Sequence, residues 1–262
     1  MGQFPAAAAG NFYLSILIIN QSPTFLHFAF SMSRILLLDL DHTLYPSTLP
    51  TGEAVDARIA QYLCNHLKLS WNEADALRQQ LSARYGTTLK GMEILHGVDR
   101  ERYCDFIQDL EDHLMPPPNP LLREWLIAAG EKMPAYLFTN ARRDWVDRCL
   151  ASMGFDDLLP ENPGGKFSGV LQGILDIGFM EWIGKPEAEA FSKVESYLKD
   201  RHASFTEIIF ADDRLDNLEQ ARLHGWTTVW VRPHDATVAD GDDPANNHRI
   251  VDSLLELDPE TL

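Results

Sequence analysis

Short apolar runs that stop abruptly at polar residues recur along this chain, separated by longer stretches of helical spacing. The first run, Ile35-Leu36-Leu37-Leu38, is too short for a free-standing helix and ends at Asp39-Leu40-Asp41-His42-Thr43-Leu44-Tyr45-Pro46. Such a run suits a strand buried on both faces of a parallel sheet. Alternating side-chain directions then predict that Asp39 and Asp41 fall on one side of the extended chain. Further strands are expected at Pro134 to Thr139, Thr206 to Phe210 and Trp226 to Val231, with a glycine-rich hairpin over Ser168 to Ile177. Helices are expected at Asp144 to Met153, closed by Gly154, from Pro186 in a first turn to about Lys199, and at Arg214 to Leu223, stopped by Gly225. Strands alternating with helices predict an α/β fold with a doubly wound, mostly parallel sheet.

One tract interrupts this alternation. Val55, Ile59, Tyr62, Leu63 and His66 recur at helical spacing, and Ala74 to Tyr85 forms a second amphipathic run. A polar break over Arg84 to Gly91 follows, then Met92 to His96 and Arg102 to Leu110. Met115-Pro116-Pro117-Pro118-Asn119-Pro120 closes the tract, because consecutive prolines hold the backbone extended. Asn119 is placed to cap the next helix, with Pro120 at its first position and Gly130 at its end. The expected organisation is a core domain of residues 34–45 and 119–262, a helical insert at 46–118 and an extension at 1–33.

Composition narrows the function classes. The 262 residues are 45% hydrophobic and 23% charged, ordinary for a soluble globular protein. A net charge of -17 argues against a nucleic-acid polymer or an anionic membrane as partner, since both need basic patches. Cys64, Cys104 and Cys149 are odd in number and far apart, which suits reduced thiols in a cytoplasmic protein. Residues 1–33 hold no Lys or Arg, and their apolar patches are split by Asn20 to Pro23, so they fit neither a secretory signal nor a membrane span. They read as an extension ahead of the fold, with Met32 a natural alternative start.

Three of the expected strands end in polar residues: Asp39 with Asp41, Thr139 with Asn140, and Asp212 with Asp213. In a parallel sheet those ends lie side by side, at the edge where ligands bind. Carboxylates and a hydroxyl without His or Cys favour a hard octahedral cation such as Mg²⁺. Each cluster alone reads more simply as a turn, a helix cap or a solvated charge. Their order along the chain is what makes a site of them.

That order, with Lys185 in Gly184-Lys185-Pro186 and Asp216 and Asn217 after Asp213, resembles the haloacid dehalogenase superfamily of phosphotransferases from about Arg34 to Val231. The resemblance implies a Rossmann-like core with the insert as a cap, and a Mg²⁺-dependent reaction through an aspartyl-phosphate. Asp39 is then the nucleophile and Asp41 the general acid and base. Thr139, Asn140 and Lys185 bind the phosphoryl group. Asp39, the Asp41 carbonyl, Asp212 and Asp213 hold the metal, with Asp213 and Asp216 both open as the group that holds a metal-bound water. The dehalogenases of the superfamily lack the second aspartate, so Asp41 points to phosphoryl transfer.

Tyr85-Gly86-Thr87-Thr88-Leu89-Lys90-Gly91, His96-Gly97-Val98-Asp99 and Leu44-Tyr45-Pro46 are similar to the pyrimidine 5'-nucleotidase subfamily. This implies hydrolysis of a nucleoside monophosphate such as UMP or CMP, with Tyr45, Tyr85, Thr88 and Lys90 as leaving-group contacts. Phosphatases of phosphoglycolate or sugar phosphates, a phosphomutase, and a binding protein with a relic site remain alternatives. The length of the segment from Pro160 to Trp182 has no counterpart in this reading, and oligomeric state is left open.

Overall fold

A computed structural model describes residues 34–161, 166–234, 236 and 247–262. The expected extension at 1–33, with Met32, lies outside the described residues. Six parallel strands form one sheet in the order β3-β2-β1-β4-β5-β6. They are β1 (Arg34–Leu38), β2 (Ala135–Phe138), β3 (Leu171–Leu175), β4 (Glu207–Asp212), β5 (Thr227–Val231) and β6 (Arg249–Val251). β1 is central, with Leu37 opposite Tyr136 of β2 on one side and Phe210 of β4 on the other. Its alternation feeds both layers. Leu36 and Leu38 enter one hydrophobic cluster, with α5 (Pro120–Lys132) and α6 (Arg143–Met153). Ile35 and Leu37 enter the other, with α7 (Ala188–Arg201) and α8 (Leu215–Leu223).

Between β1 and β2 lie α1 (Pro50–Leu67), α2 (Trp71–Tyr85), α3 (Thr88–His96) and α4 (Arg100–Ile107). They share a third cluster, built on Leu63, Leu81, Met92 and Tyr103. Local signals explain their boundaries. Ser70 and Glu73 form a capping box at α2, while the Thr87 and Asp99 side chains cap α3 and α4. The polar break is therefore shorter than expected, because Thr88 to Gly91 already belong to α3. Asn119 caps α5 through the Leu122 N–H, with Pro120 behind it, as the sequence suggests.

Other expectations need correction. Gly130 does not end α5. It lies inside the helix, where a Cβ would meet Val170 at 2.9 Å, so its value is close approach rather than a turn. Ser168 to Ile177 is no hairpin but one strand, β3, at the sheet edge and parallel to β2. Pro186 precedes α7 instead of opening its first turn, since Glu187 is the N-cap. β6, three residues long at the opposite edge, had no sequence signal. All three cysteines are free, and among the described residues no helix is long and apolar enough to cross a membrane.

Candidate active site

The C-terminal ends of β1, β2 and β4 open into a cavity of about 490 Å³ whose opposite wall comes from α1, α3 and α4. Asp39 reaches it because its N–H extends the ladder to Ala211 at 2.9 Å beyond the last strand residue. Asp41 arrives by another route than strand alternation. After Asp39 the chain coils, with Leu44 N–H on the Leu40 carbonyl at 3.0 Å and His42 in the left-handed region at φ 63°. Leu40 is buried in the core, and the turn delivers both aspartates to the same cavity.

Lys185 lies 146 residues from Asp39, yet its ammonium donates to Asp39 Oδ1 at 2.8 Å, to the Phe138 carbonyl at 2.7 Å and to Asp212 Oδ2 at 2.6 Å. Phe138 and Phe210 flank it with ring centroids about 5 Å away. The ammonium is buried. Burial alone would lower its proton affinity, but Asp212 and Asp39 outweigh that and hold it above the ordinary lysine range. Asn140 places it from behind: its side-chain amide donates to the Lys185 carbonyl at 2.9 Å and accepts the Lys185 N–H at 2.8 Å. The Asn140 carbonyl and one of its two amide protons thus position Lys185, and the second amide proton is left for the expected phosphate contact. Thr139 Oγ1 accepts the Ala141 N–H at 3.1 Å, which leaves its own proton to donate into the cavity.

Asp212 ends β4 and is fully buried. Besides Lys185 it accepts the Arg214 N–H at 2.8 Å and the Asn217 amide at 2.9 and 3.1 Å. Burial pushes its carboxyl up to about 6, with Lys185 opposing and Asp39 adding to the rise. Burial likewise raises Asp39, against the pull of Lys185 and helped by Asp41. Asp213 is raised well above the usual carboxylate range, by burial and then by the charges of Asp212 and Asp39. Its main chain is pinned by the Trp230 indole N–H on its carbonyl at 2.9 Å.

Oxygens of Asp39, Asp212 and Asp213 come within 4.8 Å of one another. Three carboxylates against one ammonium leave the cluster short of positive charge, and an all-oxygen donor set suits a hard dication. Asp213 is the freer ligand, because no hydrogen bond engages its carboxylate among the described residues. Asp216, the open alternative, is held by the Arg214 guanidinium at 2.6 and 3.0 Å and lies outside the cluster.

The leaving-group candidates divide. Tyr85 is half-buried and lines the cavity. Thr88 lines it too, but its hydroxyl donates to the Arg78 carbonyl at 3.2 Å. Lys90 pairs with Glu187 across the cavity mouth at 3.3 Å. Tyr45 is buried and its hydroxyl donates to Asp41 Oδ1, so that proton is engaged by Asp41 rather than offered to a ligand.

Several residues had no sequence signal. Arg142 bonds Glu101 at 3.0 Å and Asp105 at 2.8 Å on α4, and Arg214 donates to the Gly86 carbonyl at 3.1 Å. With Lys90 and Glu187 these tie the loops after β2 and β4, and the Lys185 loop, to the helical layer. The long segment before Lys185 brings Trp182 against the α1–α4 cluster, where Arg100 lies 4.9 Å over its ring. No motif marks such contacts, because each joins residues far apart in the chain.

Gly184 makes the close fit around Asn140 possible. A Cβ there would sit 2.8 Å from Asn140 Oδ1 and 3.1 Å from Ile177 Cδ1. Gly184→Ala is expected to push Asn140 off Lys185 and lower kcat/KM roughly 10- to 100-fold, as a misplacement of about 1 Å does. Steady-state kinetics beside a thermal melt would check it, the melt changing little.

No protein-family model matches the chain. Among solved structures it is similar to the HAD-hydrolase YfnB of Bacillus subtilis bound to magnesium, at 16% identity and a TM-score of 0.52, covering 86% of this chain and 96% of that one. It is also similar to a HAD phosphatase from Thermococcus onnurineus, at 18% identity and a TM-score of 0.52, over 85% and 95% of the two chains. An L-2-haloacid dehalogenase, PA0810, matches at 14% identity and a TM-score of 0.50, over 87% and 99%. These likenesses establish the haloacid dehalogenase-like fold. A phosphatase and a dehalogenase both share it, so the fold alone does not select the chemistry.

Proposed function

We propose that this chain is a Mg²⁺-dependent phosphomonoesterase, with a nucleoside 5'-monophosphate of the pyrimidine series as its substrate. The observation that carries the phosphatase reading is Asp41, a second carboxylate held at the cavity beside Asp39. A departing halide is a stable anion and needs no proton. A departing alkoxide does, and Asp41 is the group in reach to supply it.

In this reading a carboxylate oxygen of Asp39 attacks phosphorus, the bond from phosphorus to the ester oxygen breaks, and that oxygen takes the Asp41 proton. Water then attacks the aspartyl-phosphate, gives a proton to Asp41 and releases phosphate with the Asp39 carboxylate restored. Lys185 holds Asp39 by charge and offers the same charge to the phosphoryl oxygens, while Thr139 donates to one of them. Asp39, Asp212 and Asp213 would hold Mg²⁺, with the Asp41 carbonyl added by the superfamily resemblance. When bound, the ion supplies Lewis-acid neutralisation of phosphoryl charge. The magnesium bound to the Bacillus subtilis hydrolase supports that choice.

The nucleotide reading rests on the Tyr85 to Gly91 and Leu44-Tyr45-Pro46 resemblance, and a cavity of about 490 Å³ suits a ligand of that size. α1–α4 then act as a cap that selects the leaving group and excludes water. Phosphate release measured on UMP, CMP, phosphoglycolate and sugar phosphates tests both levels. Turnover that EDTA abolishes and Mg²⁺ restores is expected, with UMP and CMP the best substrates. Sugar phosphates turning over as fast as UMP would remove the nucleotide assignment and leave the phosphatase.

A further inference from the structure

Asp41 is gripped on one side only. The Tyr45 hydroxyl and the Trp145 indole N–H, the latter at 3.0 Å, both donate to its Oδ1. Among the described residues no hydrogen bond reaches Oδ2. Both donors are buried, Tyr45 at 4% and Trp145 at 3% exposure, and they come from separate elements. Tyr45 follows the turn after β1, and Trp145 lies in the first turn of α6, 104 residues away. Each is packed in the core cluster on that face of the sheet, so neither swings freely.

We propose that Tyr45 and Trp145 are positioning residues for the acid-base step, pinning Asp41 through Oδ1 so that Oδ2 alone carries the proton to the leaving group. This rests on the phosphatase reading above. The physical argument is one of lone pairs. Two N–H or O–H donors aimed at Oδ1 occupy the oxygen on which a proton would otherwise be equally welcome. The proton therefore resides on Oδ2, and it leaves that oxygen as the phosphorus–oxygen bond of the ester breaks. With both donors fixed by packing, the carboxyl keeps one orientation through both half-reactions, which a solvated aspartate at the end of a turn would not.

The role can be separated from a merely structural one by the leaving group. p-Nitrophenolate departs without a proton, whereas the alkoxide of an alkyl phosphate needs one. kcat/KM reports formation of the aspartyl-phosphate and departure of the leaving group. Tyr45→Phe keeps the ring and removes only the hydroxyl. With Mg²⁺ present, kcat/KM on an alkyl phosphate such as UMP is expected to fall about ten- to a hundredfold, the effect of one hydrogen bond to a charged group. On p-nitrophenyl phosphate the fall should be slight. Trp145→Phe should show the same asymmetry, and the double variant a larger one. Equal losses on the two esters, or none, would overturn the proposal while leaving the phosphatase standing. A wild-type protein silent on both esters would overturn the phosphatase reading and this inference with it.

Discussion

Asp39→Asn should abolish turnover while leaving the fold as stable as before or more so. Asparagine is nearly isosteric and keeps an oxygen for the Lys185 ammonium, which also retains the Phe138 carbonyl and Asp212. What disappears is the anionic oxygen that the proposed mechanism directs at phosphorus, and removal of a covalent nucleophile costs about 10⁴-fold or more in kcat. Stability runs the other way. Asp39 is buried beside Asp212 and Asp213, and its raised proton affinity shows that the charged form is disfavoured there. Neutralising it removes the cost of burying that charge and eases the repulsion from Asp41, a common trade between function and stability at active sites. Phosphate release and a thermal melt on the same preparation check both halves. Substantial residual phosphatase activity would refute the assignment of the nucleophile.

Lys185→Met should damage both activity and stability. The ammonium is almost fully enclosed and is the positive charge shared by Asp39 and Asp212. Methionine fills much of the volume but leaves two buried carboxylates facing each other. Losing one partner of a buried ion pair costs about 3–5 kcal/mol. A melt should show this as a lower midpoint, and kinetics should show a fall of orders of magnitude, because in the proposed mechanism Lys185 balances charge on the phosphoryl oxygens. Lys185→Arg is expected to rescue little. Three acceptors at 2.6–2.8 Å converge on one ammonium, and a planar guanidinium cannot serve that arrangement. Wild-type stability in Lys185→Met would show that the three contacts carry no weight.

How much of this was readable before the structure depends on how local each feature is. β1 was legible because four apolar residues ending at a carboxylate fit little else, and the structure buries them on both faces. α6 was legible through its apolar face and Gly154, whose φ of 79° is the left-handed value that glycine accepts. β3 was misread because Gln172 and Gly173 dilute its apolar character, as an edge strand permits. Gly130 and Pro186 were misread for another reason. Local propensity assigns them a turn and a helix start, but contact with Val170 and the placement of Lys185 took precedence.

Along the chain, Asp39, Asp41, Thr139, Asp212 and Asp213 stand in order at or just after strand ends, because a parallel sheet puts strand termini at one edge, and Lys185 stands in the loop before α7. The tertiary structure decided how each is used. It gave the Asn140 carbonyl and one of its amide protons to Lys185, the Asp216 carboxylate to Arg214, the Thr88 hydroxyl to a carbonyl, and the Tyr45 and Trp145 protons to Asp41. These pairings span up to 104 residues. A hydrogen bond depends on a distance of about 3 Å in space, and that distance has no signature in one dimension.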